Sequence, residues 1–157
     1  MSVSGSASST PVAYGDTSAL VKLFVVEEGS RETREALSAV RVLGTGLLSR
    51  VELGAALARG VRRGLLSCED GARAREYLAL VWPSWVHIGI DERLAARAEA
   101  TAWEYGLRGY DAIHLAMALE WQERLHYPVM LATYDRELAA AGRQAGLDVW
   151  PGASTIL

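Results

Sequence analysis

Four acidic side chains are the residues of this chain best suited to do chemistry, although they lie far apart in the sequence: Asp16, Glu52, Asp111 and Asp135. Each lies where a strand is expected to pass into a helix or where a helix is expected to begin. Three of them follow or border a short apolar run. In an open parallel sheet, ligands bind at the carboxyl ends of the strands, so these acids are expected to meet there. Gathered carboxylates repel one another unless a cation holds them together. The pattern therefore predicts a hard-metal site.

The chemistry that suits such a set is hydrolysis of a phosphodiester bond. Mg²⁺ takes oxygen ligands and keeps several waters, so its protein site needs only a few carboxylates beside the phosphate oxygens of a substrate. A bound divalent ion activates water and stabilises the leaving oxygen. Without metal, the acids are expected to titrate as a coupled group, with some protons retained above the usual pKa of an isolated carboxyl.

Each acid also has an ordinary structural interpretation. Asp16, Asp111 and Asp135 precede apolar helical patterns, and aspartate is a favoured N-cap because its carboxylate accepts a backbone N–H. Glu52 is harder to explain in this way. It lies between Val51 and Leu53, inside an apolar stretch where an unpaired carboxylate would cost several kcal/mol to bury. Spacing alone leaves the metal site and the helix caps both open.

Hydrophobic periodicity predicts an alternation of strands and helices that would position these acids. The predicted strands are 12–14, 42–45, 86–90, 129–132 and 149–150, and the predicted helices are 19–26, 32–40, 48–63, 68–82, 92–106, 111–124 and 136–145. Ser30, Ser67 and Asp91 are the predicted N-caps of the second, fourth and fifth helices. Alternating strands and helices indicate an α/β domain whose parallel sheet is covered on both faces.

Length and composition favour one globular domain. The chain has 157 residues, half of them apolar, and we expect a flexible tail over residues 1–11 and a single domain over residues 12–157. The serine-rich start lacks the features of a signal peptide, and no apolar stretch approaches the roughly 20 residues that span a bilayer. Cys68 is the only cysteine, which excludes an intramolecular disulfide and argues against structural zinc. A cytoplasmic protein without membrane contact is expected.

The net charge of −3 does not by itself indicate a nucleic-acid partner. It does not exclude one either, because bound divalent cations change the local field where a phosphate would lie.

Four segments of the chain together resemble the PIN-domain nucleases, and most of all the toxin subunits of VapBC toxin–antitoxin pairs. The segments are Gly15–Lys22, Leu48–Leu53, Tyr110–Ala116 and Leu131–Asp135. Any one of them is a weak signal, but their order and separations match the family from about Val12 to Trp150. The resemblance implies a PIN-like three-layer α/β/α sandwich with a central, mostly parallel sheet. It also implies an endoribonuclease that depends on Mg²⁺ or Mn²⁺ and inhibits translation as the toxin of a type II module.

The resemblance also assigns roles to particular residues. It makes all four acids catalytic metal-site residues, with Asp16 and Asp111 as direct ligands and Glu52 and Asp135 as ligands either directly or through water. Ser18 and Thr133 fill the places of the hydroxyl residues that orient ligands or waters in the family. These assignments lead us to expect that the six side chains lie close to one another in the folded protein.

Two further residues near the acids invite interpretation. Arg108, close before Asp111, is a candidate for contact with a substrate phosphate. His114 lies three residues after Asp111 on the same predicted helical face, where the pair would suit a transition metal. We prefer a histidine that belongs to the core or supports the site from behind.

The resemblance also implies partners: an RNA substrate (tRNA, rRNA or mRNA), a cognate VapB-type antitoxin and a second copy in a homodimer.

Three other functions compete with an RNA-cleaving toxin. A housekeeping RNA-processing nuclease would share the fold and the acids, whereas a catalytically silent scaffold would have no reason to keep a self-repelling set of carboxylates. An aspartate-nucleophile phosphohydrolase usually has a second aspartate two residues after the first, and Ser18 stands there instead.

Overall fold

A computed structural model describes residues 11–153 of the protein, and within that range strands and helices alternate as expected. The strands are β1 (Val12–Gly15), β2 (Val42–Gly46), β3 (Val86–Ile88), β4 (Val129–Ala132) and β5 (Asp148–Trp150). The helices are α1 (Thr17–Leu20), α2 (Ser30–Ser38), α3 (Leu48–Arg62), α4 (Cys68–Val81), α5 (Glu92–Tyr105), α6 (Gly109–Leu125) and α7 (Arg136–Gln144). Short 3-10 turns follow α1 at Val21–Leu23 and α4 at Trp82–Ser84.

The strands of the described range form one sheet in the order β3-β2-β1-β4-β5, and every pairing in it is parallel. The chain builds the sheet outward from β1 to β3 on one side and then returns to add β4 and β5 on the other side. The strand order therefore reverses between β1 and β4, where Gly15 pairs with Ala132. In such sheets this reversal opens a crevice at the carboxyl ends of the strands, and ligands bind there.

Helices cover both faces of the sheet because successive residues of a strand point to opposite sides. Val12 and Tyr14 join the apolar cluster under α5, α6 and α7, whereas Ala13 joins the cluster under α1 to α4. Fully buried leucines such as Leu115 and Leu131 each contribute roughly 1.5–3 kcal/mol by leaving water. The predicted three-layer α/β/α sandwich with a central parallel sheet is confirmed.

A glycine sets how closely α6 approaches the sheet. Gly44 of β2 lies against the ring of Trp121, and a Cβ at this position would come within 2.5 Å of a ring atom. A side chain at this position would require the Trp121 ring to move. The contact helps to fix the position of a helix that carries Asp111 and His114.

The predicted elements are confirmed in order and type, but some of their ends were wrong. The first helix does not reach Val26: α1 ends at Leu20 and a 3-10 turn ends at Leu23. Strand β3 ends at Ile88 instead of at residue 90, since its last pairing is with Gly46, where β2 also ends.

One of the three predicted caps was also wrong. Ser67 and Asp91 cap α4 and α5, and each accepts a backbone N–H from the first turn. Ser30 is not a cap but the first residue of α2, after Gly29 in the left-handed region at φ 81°. The Ser30 hydroxyl instead donates to the carbonyl oxygen of Val25, which fixes the preceding loop.

The expected tail over residues 1–11 lies outside the described residues except at Pro11. Within residues 11–153, none of the helices is both long and apolar enough to span a bilayer.

Candidate active site

Four acidic residues lie at the edge of the sheet where the strand order reverses. Asp16 directly follows β1, and its backbone N–H donates to the carbonyl oxygen of Ala132 at 3.0 Å, which ties the end of β1 to the end of β4. Asp135 follows β4 and begins α7. Glu52 lies in α3 and Asp111 in the first turn of α6. Four separate parts of the chain thus supply acids to one region.

Asp16 is the most deeply buried of the four, with 4% of its surface exposed. Its oxygen Oδ1 accepts from the Ser18 hydroxyl at 2.7 Å and from the backbone N–H of Ala19 at 3.2 Å. Oxygen Oδ2 accepts from the Thr133 hydroxyl at 2.8 Å. These donors are neutral, so they orient the carboxylate without balancing its charge. Burial raises the pKa of Asp16, although the neighbouring His114 and the hydrogen bonds act against the rise.

The two hydroxyls that hold Asp16 are themselves held by the backbone after β4. Ser18 Oγ accepts from the N–H of Tyr134 at 2.8 Å, and Thr133 Oγ1 accepts from the N–H of Asp135 at 3.0 Å. Because a carboxylate only accepts hydrogen bonds, the protons of both hydroxyls point at Asp16. The loop after β4 thereby sets the orientation of a carboxylate that follows β1.

Glu52 is half-buried and receives two hydrogen bonds on the same oxygen. Oxygen Oε1 accepts from the Thr17 hydroxyl at 2.9 Å and lies 2.9 Å from Nε2 of His114. On the other side of the imidazole, Nδ1 lies 2.7 Å from the hydroxyl of the buried Tyr14. Burial acts to raise the pKa of Glu52, but the hydrogen bonds and the charge of His114 outweigh it, and the pKa is lowered.

Asp111 and Asp135 share a guanidinium group. Arg108 donates from Nε to Asp111 at 3.1 Å and from its terminal nitrogen to Asp135 at 3.3 Å. Burial and the charge of Asp135 raise the pKa of Asp111, and Arg108 opposes this rise. The side chain of Arg108 is 75% exposed, so its charge remains accessible from solvent while it bridges the two acids.

The four acids form one electrostatic unit. The charge of His114 acts to lower the pKa of Asp16, of Glu52 and of Asp111. Thr133 links Asp16 to the backbone of Asp135, and Arg108 links Asp135 to Asp111. These links connect, through intervening side chains, the four acids that the sequence analysis proposed for the site.

The donor set fits a hard cation. A carboxylate offers about four lone-pair positions. Asp16 uses three of them, which leaves one for an ion, and the Arg108 bridge shows that positive charge fits between Asp111 and Asp135. Within residues 11–153, no three Asp, Glu, His or Cys side chains converge into a metal-binding cluster. Mg²⁺ fits this arrangement, because it binds through one or two carboxylates and keeps several waters, whereas a structural zinc site needs four protein ligands.

The helix-cap interpretation of the aspartates is confirmed for two of three. Asp16 caps α1, and Asp135 caps α7 by accepting the N–H of Leu138 at 2.8 Å. Asp111 is not a cap but the third residue of α6, whose N-cap position is Arg108. Capping and site formation are compatible, since a cap fixes the carboxylate while lone pairs remain for another partner.

Sequence reasoning missed two residues of this site and understated a third. Thr17 hydrogen-bonds to Glu52, and Tyr14 hydrogen-bonds to His114. No spacing rule predicts that either residue belongs to the site. The available signal was their position beside Asp16, because residues at the end of the central strand lie in the crevice. His114 is buried, as expected for a core residue, and its Nε2 lies 2.9 Å from Oε1 of Glu52.

Fold and site together define a parallel α/β domain with an acidic centre at the switch point of its sheet. Residues 13–144 match the family model for the PIN domain. The chain therefore belongs to the PIN domain family.

Three comparisons place the chain among known proteins. It is 30% identical to Ribonuclease VapC45 of Mycobacterium tuberculosis over 141 residues, which cover 90% of this chain and 96% of that protein. The crystal structure of FitAcB from Neisseria gonorrhoeae superposes with a TM-score of 0.64 at 18% identity, covering 88% of this chain and 96% of that chain. A toxin–antitoxin complex from Klebsiella pneumoniae gives a TM-score of 0.54 at 23% identity, covering 75% and 83%. Both structures share the fold.

Proposed function

We propose that the protein is a metal-dependent endoribonuclease that acts as the toxin of a type II toxin–antitoxin pair. The observation that carries the proposal is the linkage of Asp16, Glu52, Asp111 and Asp135 into one network at the carboxyl edge of the sheet. Carboxylates that lie close together repel one another and destabilise a fold unless a bound cation balances their charge. Membership of the PIN domain family and the ribonuclease names of the VapC relatives support the same conclusion.

The four acids would hold Mg²⁺, or Mn²⁺ in its place. A bound ion would supply Lewis acidity at the phosphate and an activated water. Asp16 and Asp111 are the proposed direct ligands, and Glu52 and Asp135 bind directly or through water. Ser18 and Thr133 keep Asp16 in one orientation throughout the reaction, which lowers the reorganisation that the site must undergo.

The substrate of the proposed reaction is an RNA phosphodiester. Hydrolysis forms a bond between the water oxygen and phosphorus, breaks one P–O ester bond, and delivers a proton to the leaving oxygen. Arg108 is the proposed phosphate contact, because its guanidinium is exposed beside Asp111 and Asp135 and fits two phosphate oxygens. When it turns to a phosphate, Arg108 frees both carboxylates for the metal.

The biological role follows from the kind of relative. Because the four sequence segments resemble the toxin subunits of VapBC pairs, we propose a VapB-type antitoxin as partner, a homodimer as the working form, and inhibition of translation through cleavage of tRNA, rRNA or mRNA. The toxin–antitoxin complex from Klebsiella pneumoniae, which shares the fold, is consistent with such a partner.

The test is induced expression of three forms of the chain in growing cells, with total RNA examined on a gel. Wild type is expected to arrest growth and to produce discrete RNA fragments. Asp111→Asn removes one charge from the site and is expected to do neither. Glu99→Gln makes the same chemical change at an exposed position of α5, and it is expected to behave as wild type.

Purified protein separates the remaining functions. Cleavage of RNA by wild type with Mg²⁺, loss of cleavage in EDTA, and no growth arrest would indicate a housekeeping nuclease. Equal toxicity of wild type and of folded Asp111→Asn would refute a catalytic origin of the toxicity.

A further inference from the structure

A chain of polar contacts runs from the core of the protein to Glu52. The Tyr14 hydroxyl lies 2.7 Å from Nδ1 of His114, and Nε2 of the same imidazole lies 2.9 Å from Oε1 of Glu52. Tyr14 is completely buried and His114 is 2% exposed, whereas Glu52 reaches the site. One buried polar pair thus stands directly behind one acidic residue of the proposed metal site.

The chemistry of the partners fixes where the imidazole proton lies. An ionised carboxylate only accepts hydrogen bonds, so Nε2 must carry the proton that points at Glu52. When the imidazole is neutral, Nδ1 is then an acceptor and the Tyr14 hydroxyl donates to it, whereas in the charged imidazole both nitrogens donate and Nε2 still points its proton at Glu52. The sulfur of Met117, at 3.4 Å from the same hydroxyl, is the weaker acceptor. A Tyr14 hydroxyl that donates to Nδ1 thus favours the same tautomer as Glu52 does, with the proton on Nε2.

Packing alone does not require this pair. His114 lies between the apolar residues Ile113 and Leu115 of α6, and its ring meets Tyr14 edge-on with centroids 5.8 Å apart. Leucine and phenylalanine would fill such positions without the cost of burying polar atoms. The polar groups of Tyr14 and His114 instead hydrogen-bond to each other, and His114 also hydrogen-bonds to Glu52.

We propose that His114, oriented by Tyr14, is a positioning residue that holds Glu52 for the divalent metal ion. His114 and the Thr17 hydroxyl both reach Oε1, so the carboxylate is fixed by one oxygen and its other oxygen, Oε2, is left to the metal. This inference rests on the proposed metal-dependent function, and it specifies the support that the sequence led us to expect from His114: the residue held is Glu52, and Tyr14 orients the imidazole.

The experiment compares four variants of the purified full chain. His114→Leu removes the donor to Glu52, and His114→Gln keeps an amide N–H close to the place of Nε2. Tyr14→Phe keeps the ring and removes the hydroxyl that favours this tautomer. His87→Gln is the matched control, because Nε2 of His87 lies 2.9 Å from the carbonyl oxygen of Trp82 instead of from a carboxylate.

The first measurement is Mn²⁺ binding, followed by the electron paramagnetic resonance signal of the free ion. His114→Leu is expected to bind Mn²⁺ about 10–100-fold more weakly than wild type, the usual effect of losing a group that orients a metal ligand. We expect His114→Gln to recover most of this loss, Tyr14→Phe to show a smaller loss than His114→Leu, and His87→Gln to match wild type. RNA cleavage at saturating Mn²⁺ should change less than the Mn²⁺ affinity.

The second measurement is the histidine ¹H–¹⁵N spectrum without metal, in which three histidines are readily resolved. The His114 signal, identified by its loss in His114→Gln, is expected to show a proton on Nε2 and none on Nδ1. Removal of the Tyr14 hydroxyl is expected to reduce this preference. A proton on Nδ1 alone in wild type would overturn the inference.

The outcomes separate this inference from the proposed function. Wild type that neither binds Mn²⁺ nor cleaves RNA contradicts both. Wild type that does both, with folded His114→Leu binding Mn²⁺ equally well, contradicts only the positioning role. If His114→Leu does not fold, Tyr14→Phe decides: Mn²⁺ affinity and tautomer both unchanged would refute the role of the pair.

Discussion

Asp16 and Glu120 are both withdrawn from solvent, with 4% and 6% of their surfaces exposed, but their partners are of different kinds. Asp16 at the sheet edge is held by two hydroxyls and a backbone N–H. Glu120 of α6 receives both arms of the Arg93 guanidinium, at 2.8 and 2.7 Å, and a further contact at 2.8 Å from Arg124. Burial raises the pKa of Asp16, whereas the hydrogen bonds from Arg93 lower the pKa of Glu120.

The fold balances the negative charge of Glu120 with positively charged side chains, whereas the groups that hydrogen-bond Asp16 are neutral. Two arginines balance Glu120, so the α5–α6 pair needs no further partner there. The hydroxyls around Asp16 orient its charge without neutralising it, and the site gains if a cation binds. We therefore expect Asp16, a buried acid held by neutral donors, to belong to a ligand site, and Glu120, which is paired with arginines, to be a structural contact.

Replacement of Asp16 by asparagine should give the largest effect. RNA cleavage is expected to fall by more than about 10²-fold, because the side chain keeps its shape but loses the charge that faces the metal. Stability should not fall with it. A raised folded-state pKa means that ionised Asp16 opposes folding at neutral pH, so in EDTA the melting temperature of Asp16→Asn should equal or exceed that of wild type. A large drop in melting temperature would show that the charge is structural.

Divalent metal should stabilise wild type and leave Asp16→Asn nearly unchanged. A ligand that binds only the folded state adds about 2.7 kcal/mol at a free concentration 100 times its Kd. Thermal unfolding across a Mn²⁺ or Mg²⁺ series measures this directly. Equal stabilisation of wild type and Asp16→Asn would place the metal away from the acidic site.

Glu120→Gln should show the reverse of Asp16→Asn: lower stability with normal RNA cleavage. At pH 7 the melting temperature is expected to fall by about 2–4 °C, since a buried contact loses its charge but keeps its shape. The lowered pKa of folded Glu120 means that its stabilising effect is present above the ordinary pKa of glutamate and is lost as pH falls through the folded value. The difference between wild type and Glu120→Gln should therefore disappear in acid.

The neighbouring pair supplies the control for burial. Glu123 also receives both arms of an arginine, Arg97, at 2.6 Å, but its side chain is 60% exposed. Because water screens such pairs, Glu123→Gln should change stability by no more than about 0.5 kcal/mol. A loss as large as that of Glu120→Gln would mean that pairing with arginine matters more than burial.

Much of the fold could be predicted from local patterns. The alternation of short apolar runs with amphipathic segments predicted each strand and helix in order, and the caps at Ser67 and Asp91 set two helix starts. The errors lay at ends that depend on distant contacts. Strand β3 stops where its partner β2 stops, and the backbone before α2 is fixed by Gly29 and by the contact of Ser30 with Val25.

The sequence by itself also predicted which acids belong together: Asp16 and Asp135 follow parallel strands, whose ends meet at one edge of a sheet, and the family resemblance added Glu52 and Asp111. Only the tertiary structure decided how each acid is held. Ser18 and Thr133 lie more than a hundred residues apart, and they reach the same carboxylate because β1 and β4 are neighbours in the sheet. Likewise, Glu52 meets His114 only because α3 and α6 both approach the end of β1. The partners of a buried charge come from distant parts of the chain. Local sequence patterns therefore do not predict them, because the packing of helices and strands decides which side chains meet.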